Sequence, residues 1–326
     1  WFNAGNWNPA SVPTNLDDAF IQNGGTATAI GTTVVANDIY VGLRDVGFQP
    51  APHGVGTLNV TNADIDAAGS ISVGSIDAGA GGLGSNGSLT TTGGGLADGD
   101  VMVGADFLVG RFVAGSPSLA TGVADIQTGD LTGAGESLRV GTTVSDSSGS
   151  ADGTLFVAGN VSGFRFGNVG TLGNRSTGNA TGDLTVGGTY TGDGAGSGMS
   201  IGSVGGSGLA NGTAEIAGGI SNVEFMFVGG GGGDGAATGT GTGLLDVLAG
   251  GIQGLGATTF SGLGVGTTNG PGNGMGTANV TGGIGGFERV DIGAVFGANS
   301  GDGTGDVNIL TGDLMGTGSG AIASQL

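Results

Sequence analysis

Cysteine and lysine are both absent from this chain, and histidine occurs once. Without cysteine there is no disulfide framework and no thiol chemistry. No apolar run approaches the roughly 18 residues of a transmembrane helix, so the sequence predicts no membrane span. The 6 basic residues are all arginine and stand against 26 acidic residues, which gives a net charge of -20. Because phosphate binding needs positive charge, this balance excludes nucleic acid as a partner.

Glycine is abundant, with 82 of the 326 residues. Such a composition is typical of low-complexity disorder. Two observations favour a folded chain instead. Hydrophobic residues still make up 37% of the sequence. They also alternate at matching places in a repeat, a register that a disordered chain has no reason to keep.

The repeat is a glycine followed by apolar residues two and four positions later, and it occurs ten times. Gaps of 29 to 35 residues separate the leading glycines, which are Gly25, Gly56, Gly87, Gly122, Gly153, Gly182, Gly212, Gly243, Gly276 and Gly305. A period near thirty indicates a solenoid, and the alternation indicates β-strands. We therefore predict an all-β fold, a single-stranded parallel β-helix of about ten coils of roughly 31 residues, forming a rod about 50 Å long.

Three short strands are predicted in each coil. The leading strand points two apolar columns inward and leaves a mostly polar outward column between them, which reads Thr28, Asn59, Thr90, Asp125, Phe156, Thr185, Glu215, Asp246, Asn279 and Asn308. A middle strand is indicated by single apolar residues, namely Ile65, Leu96, Leu131, Val161, Tyr190, Ile220, Ile252, Ile284 and Leu314. A closing strand ends each coil with an apolar pair and a glycine, for example Ile71, Val73 and Gly74; the same pattern places Val101 with Val103, and Phe164 with Phe166, in closing strands.

The first 24 residues differ from the rest, because they hold both tryptophans, Trp1 and Trp7, beside Phe2. We predict that residues 1–24 form an aromatic N-terminal segment with a first partial coil, and that residues 25–326 form the repeats. The chain begins at Trp1 and not at methionine, which favours a processed mature chain over a fragment.

The same segment carries a resemblance to a known family through Trp1, Asn6, Trp7, Val12, Pro13, Asp17, Asp18, Asn23, Gly24 and Gly25. Together with the glycine-rich repeat, this pattern resembles bacterial autotransporter-type surface proteins with autotransporter-associated β-strand repeats. The resemblance implies an exported, extracellular, right-handed β-helix with a structural or adhesive role.

Calcium is the one cofactor for which the sequence offers ligands. Aspartate often lies beside glycine, as at Asp98, Asp100, Asp302 and Asp306. Short carboxylates in flexible turns suit a hard cation. Aspartate is also a common turn residue, and no EF-hand or calcium β-roll spacing occurs, so the turn interpretation is favoured over a calcium site.

Catalysis would need clustered carboxylates and a basic residue on one face. The best candidates are Arg139 and Arg165, which the repeat places in equivalent positions of adjacent coils near Asp125. The remaining residues of that column form no coherent site, so we expect no enzyme, and polysaccharide cleavage is the least favoured alternative.

The last repeat keeps the apolar pattern, with Val307, Ile309 and Leu314, and no covering helix follows it. If Leu326 ends the chain, that open edge would be covered by the first coil of another copy, with Trp1, Phe2 and Trp7 as the plug. Such head-to-tail contact does not close on itself and produces filaments. We therefore predict an extracellular structural protein that assembles with itself, and as the alternative an adhesin that holds surface glycans.

Overall fold

A computed structural model describes residues 1–3, 5, 7, 10–43, 54–76, 84–93, 98–113, 118–231, 238–256, 261–296 and 301–316. These residues form thirty β-strands and no α-helix. The strands belong to three parallel sheets of ten strands each, and every third strand along the chain joins the same sheet. The predicted parallel β-solenoid with coils of about 31 residues is confirmed.

The leading strands form the first sheet, called the leading sheet. Its strands are β2 Gly25–Ile30, β5 Gly54–Thr61, β8 Ser85–Thr92, β11 Leu119–Ile126, β14 Ser150–Val157, β17 Ala180–Val186, β20 Leu209–Ile216, β23 Thr240–Val247, β26 Asn273–Thr281 and β29 Gly303–Thr311. The leading glycines lie opposite one another in register, as Gly122 does with Gly153. The predicted inward columns are therefore confirmed. Their one polar member, Thr91, is fully buried and donates its hydroxyl to the carbonyl of Gly99 at 3.3 Å.

The middle strands form the middle sheet. They are β3 Val34–Ala36, β6 Ile65–Ala67, β9 Val101–Val103, β12 Leu131–Gly133, β15 Val161–Phe164, β18 Tyr190–Gly192, β21 Ile220–Val223, β24 Ile252–Gly254, β27 Ile284–Phe287 and β30 Leu314–Gly316. Leu96, expected here, lies outside the described residues.

The closing strands form the closing sheet. They are β1 Ala19–Ile21, β4 Ile39–Val41, β7 Ile71–Val73, β10 Phe107–Phe112, β13 Ser137–Thr143, β16 Phe166–Val169, β19 Gly198–Ile201, β22 Phe225–Val228, β25 Gly262–Val265 and β28 Arg289–Ile292. Strand β1 precedes Gly25, so part of the segment 1–24 is the closing strand of a partial coil. Side chains from all three sheets meet in one continuous core.

Two of the predicted closing strands were wrong, and the first is Val101–Val103. This segment is β9 of the middle sheet, where it pairs with β6 and β12. The closing strand of that coil is β10, with Phe107 and Val109 inward and Gly110 after them. The gap that begins at Gly87 is 35 residues, the longest of the ten-fold repeat. The extra residues precede the middle strand, and the alternating pattern alone does not show on which side of a strand an insertion lies.

The second wrong assignment is the pair Phe164 and Phe166. Phe164 ends the middle strand β15, and Phe166 begins the closing strand β16 with its ring exposed. The inward positions of β16 are Gly167 and Val169, which lie opposite Leu138 and Val140. Because Gly167 has no side chain, β16 lacks the apolar residue that the closing-strand pattern requires at its first inward position.

Tyr190 explains why glycine stands at position 167. A Cβ atom on Gly167 would lie 2.5 Å from the Tyr190 hydroxyl oxygen. Tyr190 points inward from the middle sheet and is fully buried, and its hydroxyl has no hydrogen-bond partner in the described structure. Burial raises the pKa of this phenol far above its usual value.

Replacing Tyr190 by phenylalanine is expected to stabilise the protein by about 1–2 kcal/mol, because a buried hydroxyl without a partner carries an uncompensated desolvation cost. The urea midpoint at constant slope measures the change. Tyr40→Phe is the matched control, since the Tyr40 hydroxyl lies 3.3 Å from the carboxylate of Asp38 and should give no gain. A lower midpoint for Tyr190→Phe would mean that the hydroxyl has an unseen partner.

Glycines hold the closing sheet against the leading sheet along one seam. In nine of the ten closing strands, all except β1, the residue directly after the second inward residue has a positive φ of 59° to 69°; these residues are Gly42, Gly74, Gly110, Gly141, Gly170, Gly202, Gly229, Gly266 and Gly293. At Gly141 a Cβ would overlap the carbonyl of Thr181 and lie 2.8 Å from the Cα of Gly182. At Gly153 a Cβ would overlap the backbone of Gly141 and Val109. The two sheets therefore meet backbone to backbone, and only glycine fits on both sides.

A small second core lies beyond this seam. Residues two positions after the closing glycines form bridges between coils, as between Ile76 and Phe112 and between Leu172 and Val204. They pack on small residues that come two positions before the leading glycines, among them Ala120 and Ala180. This core was not predicted from the sequence, although alanine, glycine or serine at that place in most repeats was its signal.

Candidate functional site

The aromatic segment at the N-terminal end packs on its own first coil. Trp1 is only 6% exposed and contacts Trp7 edge to face, with ring centroids 4.9 Å apart. The Trp7 indole donates to the Trp1 carbonyl at 2.8 Å, and the Trp1 nitrogen donates to the carbonyl of Thr28 on the free edge of β2. Phe2 remains 42% exposed. The segment thus covers the first coil and presents an aromatic surface at this end.

A groove of about 710 Å³ runs between this segment and strands β1 and β2. Its lining includes Trp1, Trp7, Asp18, Phe20 and Gln22. The indole nitrogen of Trp1 and the side-chain nitrogen of Gln22 are buried, and neither has a hydrogen-bond partner among the described residues. Buried donors of this kind are rare, because each carries a desolvation cost that a partner would remove.

The opposite end of the described solenoid is open. Val307, Ile309 and Leu314 continue the inward columns, yet they are only partly buried, whereas Val280 and Ile284 one coil earlier are fully buried. Strands β28, β29 and β30 each pair with one described strand, on the side of the preceding coil. The six residues predicted to form an assembly interface lie at the two ends of the described solenoid, and their role in assembly stays a prediction.

The aspartates considered as calcium ligands lie in two separate places. Asp98 and Asp100 lie between β8 and β9. Asp302 precedes β29, and Asp306 lies within it. In the leading sheet β29 is seven strands away from β8, so the two pairs of aspartates are far apart. Within the described residues no cluster of three or more acidic or histidine side chains could hold a metal ion. The four residues do not form one site, and calcium binding stays a prediction for each pair by itself.

Asp100 has a structural role that the sequence analysis missed. The Asp64 carboxylate accepts the backbone N–H groups of Gly99 and Asp100 at 3.1 and 3.0 Å. In the next coils Asp100 accepts from Asp130 at 2.8 Å, and Asp130 accepts from Asn160 at 2.7 Å. This ladder ties each coil to the next at the corner before the middle strand. Its signal was aspartate or asparagine directly before the middle strand in four consecutive repeats.

The outer face of the leading sheet carries the predicted outward column in register, from Thr28 to Asn308. Within it Asn279 donates to Asp246 at 2.6 Å, and Asn308 donates to Asn279 at 2.8 Å. On the same face, burial and then the nearby Asp183 carboxylate raise the pKa of Asp152. This surface is a row of polar groups along the rod, interrupted by Phe156.

The proposed grouping of Arg139, Arg165 and Asp125 was wrong. Arg139 lies in the closing sheet opposite Asn168, whereas Asp125 lies in the leading sheet. Arg165 precedes β16 and lies over the ring of Phe166, 5.2 Å from its centroid. The error follows from the misplaced closing strand at Phe164, which shifted the register by three residues. The structure brings no catalytic group together from these three residues.

In the part of the chain that the structure describes, no helix has the length and apolar character needed to cross a membrane. The chain matches no protein family, no curated protein and no solved structure at a significant level.

Proposed function

We propose that the protein is an extracellular structural protein whose copies join end to end through their terminal coils and form a filament. The observation that carries this proposal is the open coil of β28, β29 and β30. Its inward columns are complete in sequence but half-exposed, and its strand edges are free on one side within the described residues. A free edge of this kind is a template for another strand.

The groove at the other end has features that complement such an edge. The indole nitrogen of Trp1 and the side-chain nitrogen of Gln22 lack acceptors among the described residues. An unpaired strand edge supplies backbone carbonyls, and Leu310 and Met315 at that end supply apolar surface that is 67% and 61% exposed. The contact joins two different surfaces, so it repeats without closing.

Assembly is expected to rise with protein concentration and with salt, because a net charge of -20 makes the copies repel one another at low ionic strength. Sedimentation velocity and electron microscopy at low and high salt measure this. Ile309→Asp should abolish the polymers, and Asn308→Asp is the matched control, since Asn308 is the exposed neighbour on the same strand. Short isolated rods at every concentration and salt, or equal assembly of both variants, would contradict the proposal.

The second candidate function is that of an adhesin that holds surface glycans. The polar column on the leading sheet favours it, because its hydroxyl, amide and carboxylate groups stand in register along the whole rod. Glycan-array binding separates the two candidates, since a scaffold without a ligand should select none. No catalytic role is proposed for any residue.

A further inference from the structure

A pocket of about 260 Å³ lies on the outer face of the closing sheet, where β13 turns past Gly141. Arg139, Thr142, Ser145, Asn168 and Thr171 line it. All of these residues belong to the continuously described range 118–231. Arg139 and Asn168 are neighbours in register on adjacent coils. We call this cavity the Arg139 pocket.

Two donors of the Arg139 pocket are buried and have no partner in the described structure. These are the Nε of Arg139 and the hydroxyl of Thr142, whose residue is only 2% exposed. The single hydrogen bond that Arg139 makes runs from its terminal nitrogen to the Ser137 hydroxyl at 3.5 Å, the outer limit for such a bond. A buried guanidinium nitrogen without an acceptor carries a desolvation cost, and an acceptor supplied by a ligand would remove that cost.

No carboxylate among the described residues forms a salt bridge with the Arg139 guanidinium. Arg175 and Arg289 lie in salt bridges of 2.9 and 2.6 Å with aspartates. Arg139 takes part in no salt bridge with any residue that the structure describes, although the chain has 26 acidic residues. Arg139 therefore gives the pocket a positive charge that no described carboxylate neutralises.

The chemistry of the lining indicates the ligand. A guanidinium binds a carboxylate through two parallel hydrogen bonds. Thr142 lines the same cavity and adds a hydroxyl group. The Thr171 hydroxyl and the Asn168 amide add groups that both donate and accept. The lining has no aromatic wall, and the volume lies just below that of ordinary ligand pockets. We propose that the Arg139 pocket binds the carboxylate of a small hydroxylated acid, either a free sugar acid or an acidic sugar at the end of a glycan.

This site does not depend on end-to-end assembly, because it lies near the middle of the rod. Calorimetric titration with D-glucuronate tests it, in about 150 mM salt, where the Debye length of about 8 Å limits repulsion from the acidic surface. D-glucose is the neutral control, and acetate is the anion without hydroxyl groups. An acidic oligosaccharide with terminal glucuronate distinguishes the glycan source from the free acid by its tighter binding.

Arg139→Met is expected to weaken glucuronate binding at least about tenfold, because the charge-assisted pair is lost. Thr142→Val should weaken it about fivefold through the loss of one hydroxyl. Arg165→Met removes the same charge outside the pocket and should leave binding unchanged. The melting temperature without ligand should not fall in Arg139→Met, since the guanidinium stabilises nothing there that the structure shows.

Three results would overturn the proposal. These are glucose binding as tightly as glucuronate, undiminished binding by both Arg139→Met and Thr142→Val, and no heat of binding with any of the acids. Equal affinity for acetate and glucuronate would show that the hydroxyl groups of the ligand contribute nothing to binding. This result would contradict the proposed hydroxylated acid and indicate a site for anions in general. If Arg139→Met fails to fold, Thr142→Val, a near-isosteric change, still decides the outcome.

Discussion

Gly141→Ala is expected to destabilise the protein by roughly 3–5 kcal/mol, which combines the cost of a side chain at positive φ with overlap against rigid backbone. Gly141 has a φ of 60°, and an added Cβ would overlap the Thr181 carbonyl in the next coil. Neither atom can move without breaking the pairing of β13 or β17. Urea unfolding followed by far-ultraviolet circular dichroism measures the loss.

Two further variants separate the two causes. Gly153→Ala has the backbone overlap without the positive φ, and Gly31→Ala has a φ of 70° with no atom within 4 Å of the added Cβ. We expect Gly141→Ala to cost most and Gly153→Ala to come next. Gly31→Ala should cost only about 1–2 kcal/mol, the penalty of the left-handed conformation alone. Equal losses at Gly31 and Gly141 would show that the seam is not close-packed.

Leu155→Asp is expected to cost at least about 4 kcal/mol, because it places an unpaired carboxylate in the core. Leu155 is 1% exposed and lies between Ala124 and Leu184 of the adjacent coils. Both of these neighbours are apolar and offer the new charge no hydrogen-bond donor from their side chains. The melting temperature and the urea midpoint report the effect.

Thr185→Asp is the control for this substitution. Thr185 lies in the outward column of the same sheet, between Phe156 and Glu215. Its replacement should cost less than about 1 kcal/mol, mainly through repulsion from the Glu215 carboxylate across the strand pair. Similar losses at Leu155 and Thr185 would contradict the inward and outward assignment of the leading sheet.

The leading strands were predictable because two local signals coincide in them. The second position after the leading glycine is leucine or alanine in every repeat except the last, which has Val307, and the fourth is β-branched in every repeat except the first, which has Ala29. These residues give a two-residue period that only a strand satisfies. The glycine adds a fixed starting point, so an error of one residue would have been visible. All ten outward residues consequently fall in one column.

The closing strands were harder to place because their inward positions are not always occupied by apolar side chains. Gly167 stands inward and leaves its space to Tyr190 from another sheet. The Tyr190 side chain, which comes from a different strand, fills the space beside Gly167 in the core. The pattern of residues within one strand therefore cannot show why glycine stands at position 167.

The candidate sites divide in the same way. The first and last described coils could be identified from the sequence, because the apolar repeat is visible from its first copy to its last. The ladder through Asp64 and Asp100 and the pocket at Arg139 could not be identified. Both depend on which residues stack one coil apart, and a slip of three residues, as at Phe164, exchanges every neighbour.

The sequence by itself determined that this protein is a stack of β-strand coils, because alternation and a glycine period are properties of the chain read in order. Only the tertiary structure decided where two sheets meet backbone to backbone, which aspartates tie coils together, and that Arg139 forms no salt bridge with a described carboxylate. The physical reason is the separation along the sequence over which each kind of interaction acts. Alternation acts between neighbouring residues, whereas these contacts join residues about one coil apart, and their register is set by packing of the whole stack.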